Sequence, residues 1–74
     1  MNYYDMVPID ADYVQITRDC HIRVGPFKVC DSLAIAHKGE RLPFAGLVNE
    51  NGWLEVEYEN DKFGWVSGTC GRLV

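Results

Sequence analysis

One run constrains this chain more than any other, from Asn51 to Val66. Leu54, Val56 and Tyr58 alternate there with Glu55, Glu57 and Glu59. A period of two puts apolar groups on one face of an extended strand and carboxylates on the other. A helix needs apolar residues three and four apart, which this run does not supply. Asn60-Asp61 is predicted to form a two-residue hairpin turn, since both residue types tolerate positive φ. Each of the two strands carries a Gly-Trp pair, Gly52-Trp53 and Gly64-Trp65. A two-stranded hairpin is marginal in water, so the rest of the chain has to cover it.

The remaining segments supply short strands of the same kind. Val14 and Ile16 alternate with Gln15 and Thr17. Past a turn at Arg18-Asp19, Cys20, Ile22 and Val24 alternate with His21 and Arg23, until Gly25-Pro26 ends that strand. Residues 27–32 read as a loop, with room for a single helical turn, and residues 33–36 as a short strand. His37-Lys38-Gly39-Glu40 is a polar turn with glycine at its bend. Leu42 and Phe44 resume the alternation over residues 41–48, with Pro43 expected at an edge, at a bulge, or with its nitrogen facing out. Residues 46–51 form a further connection. A turn at Ser67-Gly68 precedes a last strand over residues 72–74. Five to seven short strands spaced near ten residues apart predict an all-β barrel or sandwich. A barrel suits a chain of 74 residues because closure removes exposed edges.

Length allows one small domain. It is assigned to residues 13–74, behind an arm or linker remnant over residues 1–12. In the arm, Asp5, Pro8 and Asp10 break any periodicity, while Tyr3, Tyr4 and Ile9 are too apolar for a free tether. With 47% apolar residues the chain is not a disordered tail. No apolar run approaches the ~20 residues that cross a bilayer. The arm has no basic residue and no long apolar stretch, so no secretory signal is read in it. The expectation is synthesis in the cytoplasm, with delivery by lysis, a pore or a larger parent chain. A net charge of −4 argues against nucleic acid and against an anionic membrane as partner.

Three cysteines, Cys20, Cys30 and Cys70, make an odd set, and Cys20 and Cys70 fall within apolar patterns. They are read as free thiols, with one disulfide plus a spare thiol as the alternative. Their spacing with His21 and His37 fits no metal site, and no cofactor is implied. Cys20 and His21 are strand neighbours that point to opposite faces, so they do not make a nucleophile–base pair. No catalytic residue is assigned. Binding is the better fit. Trp53, Trp65, Tyr13, Phe27 and Phe63 are large aromatics beside turns, suited to sugar CH groups and peptides. If Leu54 points inward, Trp53 points out, whereas Phe63 and Phe44 are expected in the core. Glu55 and Glu57 share an outer face that is either simply solvated or a site for amine-bearing groups. Arg23 is expected to make a structural hydrogen bond or ion pair, or to hold a carboxylate.

Taken in order, these landmarks resemble the bacterial SH3 domain. Cys20-His21-Ile22-Arg23-Val24-Gly25-Pro26 parallels that family's Leu-Asn-Val-Arg-x-Gly-Pro. Lys38-Gly39 parallels its Lys-Gly turn, Gly52-Trp53-Leu54-Glu55-Val56 its Gly-Trp-x-x-Val, and Gly64-Trp65-Val66 its Gly-Trp-Val. His21 and Cys20 replace the usual asparagine and leucine, and Phe27-Lys28-Val29-Cys30 replaces a loop that often borders the ligand groove. The resemblance covers residues 13–74. It implies a small SH3-like barrel of five to seven antiparallel strands and a non-catalytic role in binding the cell wall. The ending looks like the C-terminus of phage and prophage endolysins, where such a domain follows an amidase or related peptidoglycan hydrolase. The implied partners are peptidoglycan, through its peptide stem, cross-bridge or glycan, and the catalytic domain of the parent hydrolase, with a homo-oligomer left open. The implied ligand-binding residues are Trp53, Trp65, Tyr13, Phe27, Arg23, Glu55 and Glu57. The competing expectation is a peptide- or domain-binding module with no wall ligand.

Overall fold

The computed structural model describes residues 11–74, so the first ten residues of the expected arm lie outside the described residues. Seven strands follow in chain order: β1 (Tyr13–Ile16), β2 (Cys20–Arg23), β3 (Ser32–Ala36), β4 (Arg41–Val48), β5 (Leu54–Tyr58), β6 (Lys62–Val66) and β7 (Gly71–Leu73). No helix occurs among the described residues. All pairings are antiparallel, in the order β3-β2-β6-β5-β4-β1-β7. The architecture is all-β and barrel-like, but the hydrogen-bonded ladder does not close. β3 and β7 remain as edges, so closure does not remove them as the sequence led us to expect. β1 and β2 are consecutive in the chain yet not adjacent in the sheet, and Arg18-Asp19 carries the chain between them.

Alternation decides the core. Val14, Ile16, Ile22, Ala36, Leu54, Val56, Val66 and Cys70 are buried together, and Leu42, Phe44, Val48 and Tyr58 pack against them. Register then sorts β6. Leu54 pairs with Val66 and Val56 with Gly64, so the inward positions of β6 are Gly64 and Val66. Phe63 and Trp65 therefore face outward. The expectation that Phe63 fills the core is corrected: it is 53% exposed.

The central hairpin turn also differs from expectation. Tyr58 pairs with Lys62, leaving a three-residue loop, Glu59-Asn60-Asp61, in place of a two-residue turn. All three residues have positive φ (46°, 54° and 73°). The loop is held by the Asp61 N–H donating to Glu57 Oε2 at 3.1 Å. In β4 the strand continues past Gly46 to Val48 rather than turning there. Gly46 (φ +104°) sits in a bulge between the pairs Phe44↔Val56 and Val48↔Leu54. Pro43 is not at an edge, since β4 lies between β5 and β1. The Phe44 N–H donates to the Asp12 carbonyl (2.9 Å) and the Ile16 N–H to the Glu40 carbonyl (2.8 Å). Even-numbered positions of β4 therefore face β1, and the missing N–H of Pro43 points away from that ladder.

At one end of the sheet, the N–H groups of Asp12 and Tyr13 both donate to the Val74 carbonyl, at 3.1 and 3.3 Å. At the other end of the same two strands, the Thr17 N–H donates to the Cys70 carbonyl at 2.9 Å.

Candidate functional site

The turn entering β5 fixes Trp53. Asn49 Oδ1 accepts from the Trp53 N–H at 2.8 Å and from the Asn51 N–H at 3.1 Å. The Asn49 N–H in turn donates to the Trp53 carbonyl at 3.0 Å. Gly52 takes φ +83°, a conformation that side chains disfavour. Across from it, the turn after β6 presses Gly68 against the Gly52 carbonyl. Trp53 is thus clamped between two turns and stands half-buried.

Beside it opens a recess of about 610 Å³. Trp53 and Phe27 supply its aromatic walls, Phe27 being 52% exposed. Arg18, Arg23 and Lys28 supply positive charge. Both arginines are held in place by hydrogen bonds. Arg18 Nη2 donates to Thr69 Oγ1 at 3.0 Å, and Arg23 Nη1 donates to the Cys30 carbonyl at 2.9 Å. Asp19, the one acid in the lining, is turned to the 37–40 turn. Its Oδ1 accepts from the Lys38 N–H at 2.7 Å, and its Oδ2 lies 3.8 Å from His37 Nδ1. Among the described residues, no carboxylate stands within ion-pair distance of Arg18, Arg23 or Lys28.

Cys20 and Cys70 also line the recess, and both are free thiols, Cys70 fully buried and Cys20 half-buried. Burial, reinforced by the neighbouring Cys70 thiol, pushes Cys20 up to about 12. A thiol so placed is protonated at neutral pH and is a poor nucleophile. His21 is exposed and its Nδ1 is hydrogen-bonded to Ser32 Oγ at 2.8 Å. Among the described residues, no group of three or more His, Cys, Asp or Glu is placed to hold a metal ion.

Compared with known proteins, the chain matches no family model, no curated protein and no solved structure.

Of the residues singled out from the sequence, the fold brings Trp53, Phe27 and Arg23 to the recess. Trp65, Glu55 and Glu57 form a neighbouring outer surface. Trp65 of β6 pairs with Arg23 of β2 on one side and with Glu55 of β5 on the other. That register puts an arginine, an indole and a carboxylate in one cross-strand row, with Arg23 common to row and recess. Burial raises the Glu55 carboxyl above its ordinary range. Glu57 continues the surface opposite Phe63. Tyr13 belongs to neither group. It pairs with Pro43 near the Val74 end, and the Arg41 guanidinium sits 6.0 Å from its ring centroid.

Sequence reasoning passed over Arg18, Lys28, Asn49 and Thr69. In the sequence Arg18 reads only as half of a turn, and Lys28 only as part of a loop. The signal that could have found them is the clustering of basic residues on both sides of a strand that ends in Arg23, in a chain that is acidic overall.

Proposed function

We propose that this domain is a non-catalytic cell-wall-binding module of the bacterial SH3 type. In this reading it targets a phage or prophage endolysin, an amidase or a related hydrolase, to the peptidoglycan of Gram-positive bacteria. The observation that carries the proposal is the recess in which the Trp53 and Phe27 rings stand beside Arg23. One residue of each of two quoted motifs, Arg23 and Trp53, lines it. Rigid aromatic walls beside fixed donors suit a ligand with apolar and polar faces, such as a peptide stem or a sugar. The domain's contribution is to raise the local concentration of an attached hydrolase at its polymer.

The test is direct. A fluorescent fusion of the full chain is expected to decorate Gram-positive cells and purified sacculi, and Trp53→Ala is expected to remove the decoration while the domain stays folded. Failure to bind sacculi from every Gram-positive host tried overturns the proposal.

A further inference from the structure

We infer that the recess beside Trp53 takes a single carboxylate, the free end of a peptide, rather than a repeating polyanion. This inference rests on the wall-binding reading above and names the chemical group that the site would select.

Three cationic side chains converge on the recess, and the acid there has its oxygens committed elsewhere. Arg18 and Arg23 each spend one N–H on a neighbouring oxygen, which fixes the guanidinium and leaves further donors for a ligand. Lys28 adds a third charge from the adjoining loop. A guanidinium held in place by its own neighbours is preorganised for an oxyanion, because less side-chain entropy is lost on binding. Trp53 and Phe27 stand next to these donors and offer apolar contact to the residue that carries the carboxylate.

The rest of the chain argues against a polymer of phosphates. The net charge is −4, and the hairpin next to the recess carries Glu55, Glu57, Glu59 and Asp61. A polyanion needs a continuous basic track, and here it would leave the recess and meet carboxylates. One terminal carboxylate on an otherwise uncharged or amine-bearing peptide meets only the local positive field.

The test uses the full chain and two probes, N-acetyl-Lys-D-Ala-D-Ala with a free carboxylate and the same peptide as its C-terminal amide. Binding is followed by amide and indole chemical shifts. The free acid is expected to shift the Trp53 indole and to bind about tenfold or more tightly than the amide, as befits the loss of a charge-assisted hydrogen bond. Added salt is expected to weaken the acid more than the amide. Arg23→Gln also breaks the bond to the Cys30 carbonyl and can unfold the loop. The Arg18→Gln/Lys28→Gln double variant is therefore the decisive one, and it is expected to bring acid and amide to similar affinity. Lys62→Gln, at the tip of the β5–β6 hairpin and outside the recess lining, is the control and is expected to keep the discrimination. Equal affinities in the native chain, no binding of either peptide, or preference for poly(glycerol phosphate) over the acid would each overturn the inference. If acid and amide bind equally and sacculi are still decorated, the carboxylate assignment fails alone. If sacculi are not bound at all, the wall reading fails with it.

Discussion

Gly64→Ala is the perturbation that most sharply tests the packing of this sheet. Gly64 occupies an inward position of β6 opposite Val56, where β2 crosses close by. A methyl added there would lie 2.5 Å from Ile22 Cγ2, 3.1 Å from the Arg23 carbonyl oxygen and 3.3 Å from Leu33 Cδ1. Carbon atoms in contact prefer ~3.5–4.0 Å, so the overlap with Ile22 is about 1 Å or more. Ile22 is only 2% exposed, and its Cγ2 is bonded directly to Cβ, so it has little freedom to yield. Overpacking of this kind costs ~1–3 kcal/mol. A chain of this size has roughly 4–11 kcal/mol in all, so the loss is a substantial share. At about 2 kcal/mol the melting temperature should fall by ~8–16 °C. Gly52→Ala makes the comparison. Nothing lies within 4 Å of its added methyl, but φ is +83°, so only backbone strain of ~1 kcal/mol opposes it. Thermal and urea unfolding of both variants should rank Gly64→Ala as the more damaging. In a double-mutant cycle, Ile22→Ala should partly relieve it, with a coupling of ~1 kcal/mol. A Gly64→Ala protein within ~0.5 kcal/mol of the native chain, or strict additivity with Ile22→Ala, refutes the close-approach argument.

Gly68→Ala should drive the Gly52 carbonyl away and loosen the clamp on Trp53, costing ~1–3 kcal/mol. In a Trp65→Phe background, which leaves one indole, it should also shift the emission maximum of Trp53. The Cys20 thiol keeps its proton to about 12 in the folded state, while the unfolded thiol releases it near 9.0, so stability should decline as pH rises above that lower value. Urea midpoints at neutral and alkaline pH, compared with those of Cys20→Ala, check this, the variant being expected to show the smaller decline. Glu55 binds its proton more tightly when folded, so its contribution to stability rises as pH falls through the carboxylate range and is unfavourable above it. Glu55→Gln should therefore be slightly more stable at neutral pH, by less than ~0.5 kcal/mol given solvent screening, and should show a flatter acid limb in urea titrations.

The strands were legible because burial alternates as the residues do. Leu54 and Val56 face inward while Glu55 and Glu57 face out, and the same parity places Ile22 inside and Arg23 outside. Phe63 misled because size suggested core, whereas the register with β5 gives the inward place to Gly64. The hairpin loop misled because Glu59 adopts positive φ despite its longer side chain, a strain that the Asp61 N–H to Glu57 bond helps to hold. The open gap between β3 and β7 was not legible at all, since strand order depends on pairings far apart in the chain. The recess is of the same kind. Arg18 and Thr69, which meet at one of its walls, are 51 residues apart. No local period records that meeting, so the aromatic part of the site could be named from sequence while most of its charge could not.

The shared carbonyl of Val74 has a consequence for how the domain is connected. Asp12 and Val74 sit together at one end of β1 and β7, while Arg18, Thr69 and Cys70 stand at the other. Some five or six residues of extended chain separate the two ends, roughly 15–20 Å at ~3.3 Å per residue. Polypeptide joined directly at Asp12 or beyond Val74 is anchored at the pole remote from the recess, and the two junctions nearly coincide. A tag or enzyme joined directly at Asp12 could then be moved to Val74 without changing where its leash is fastened.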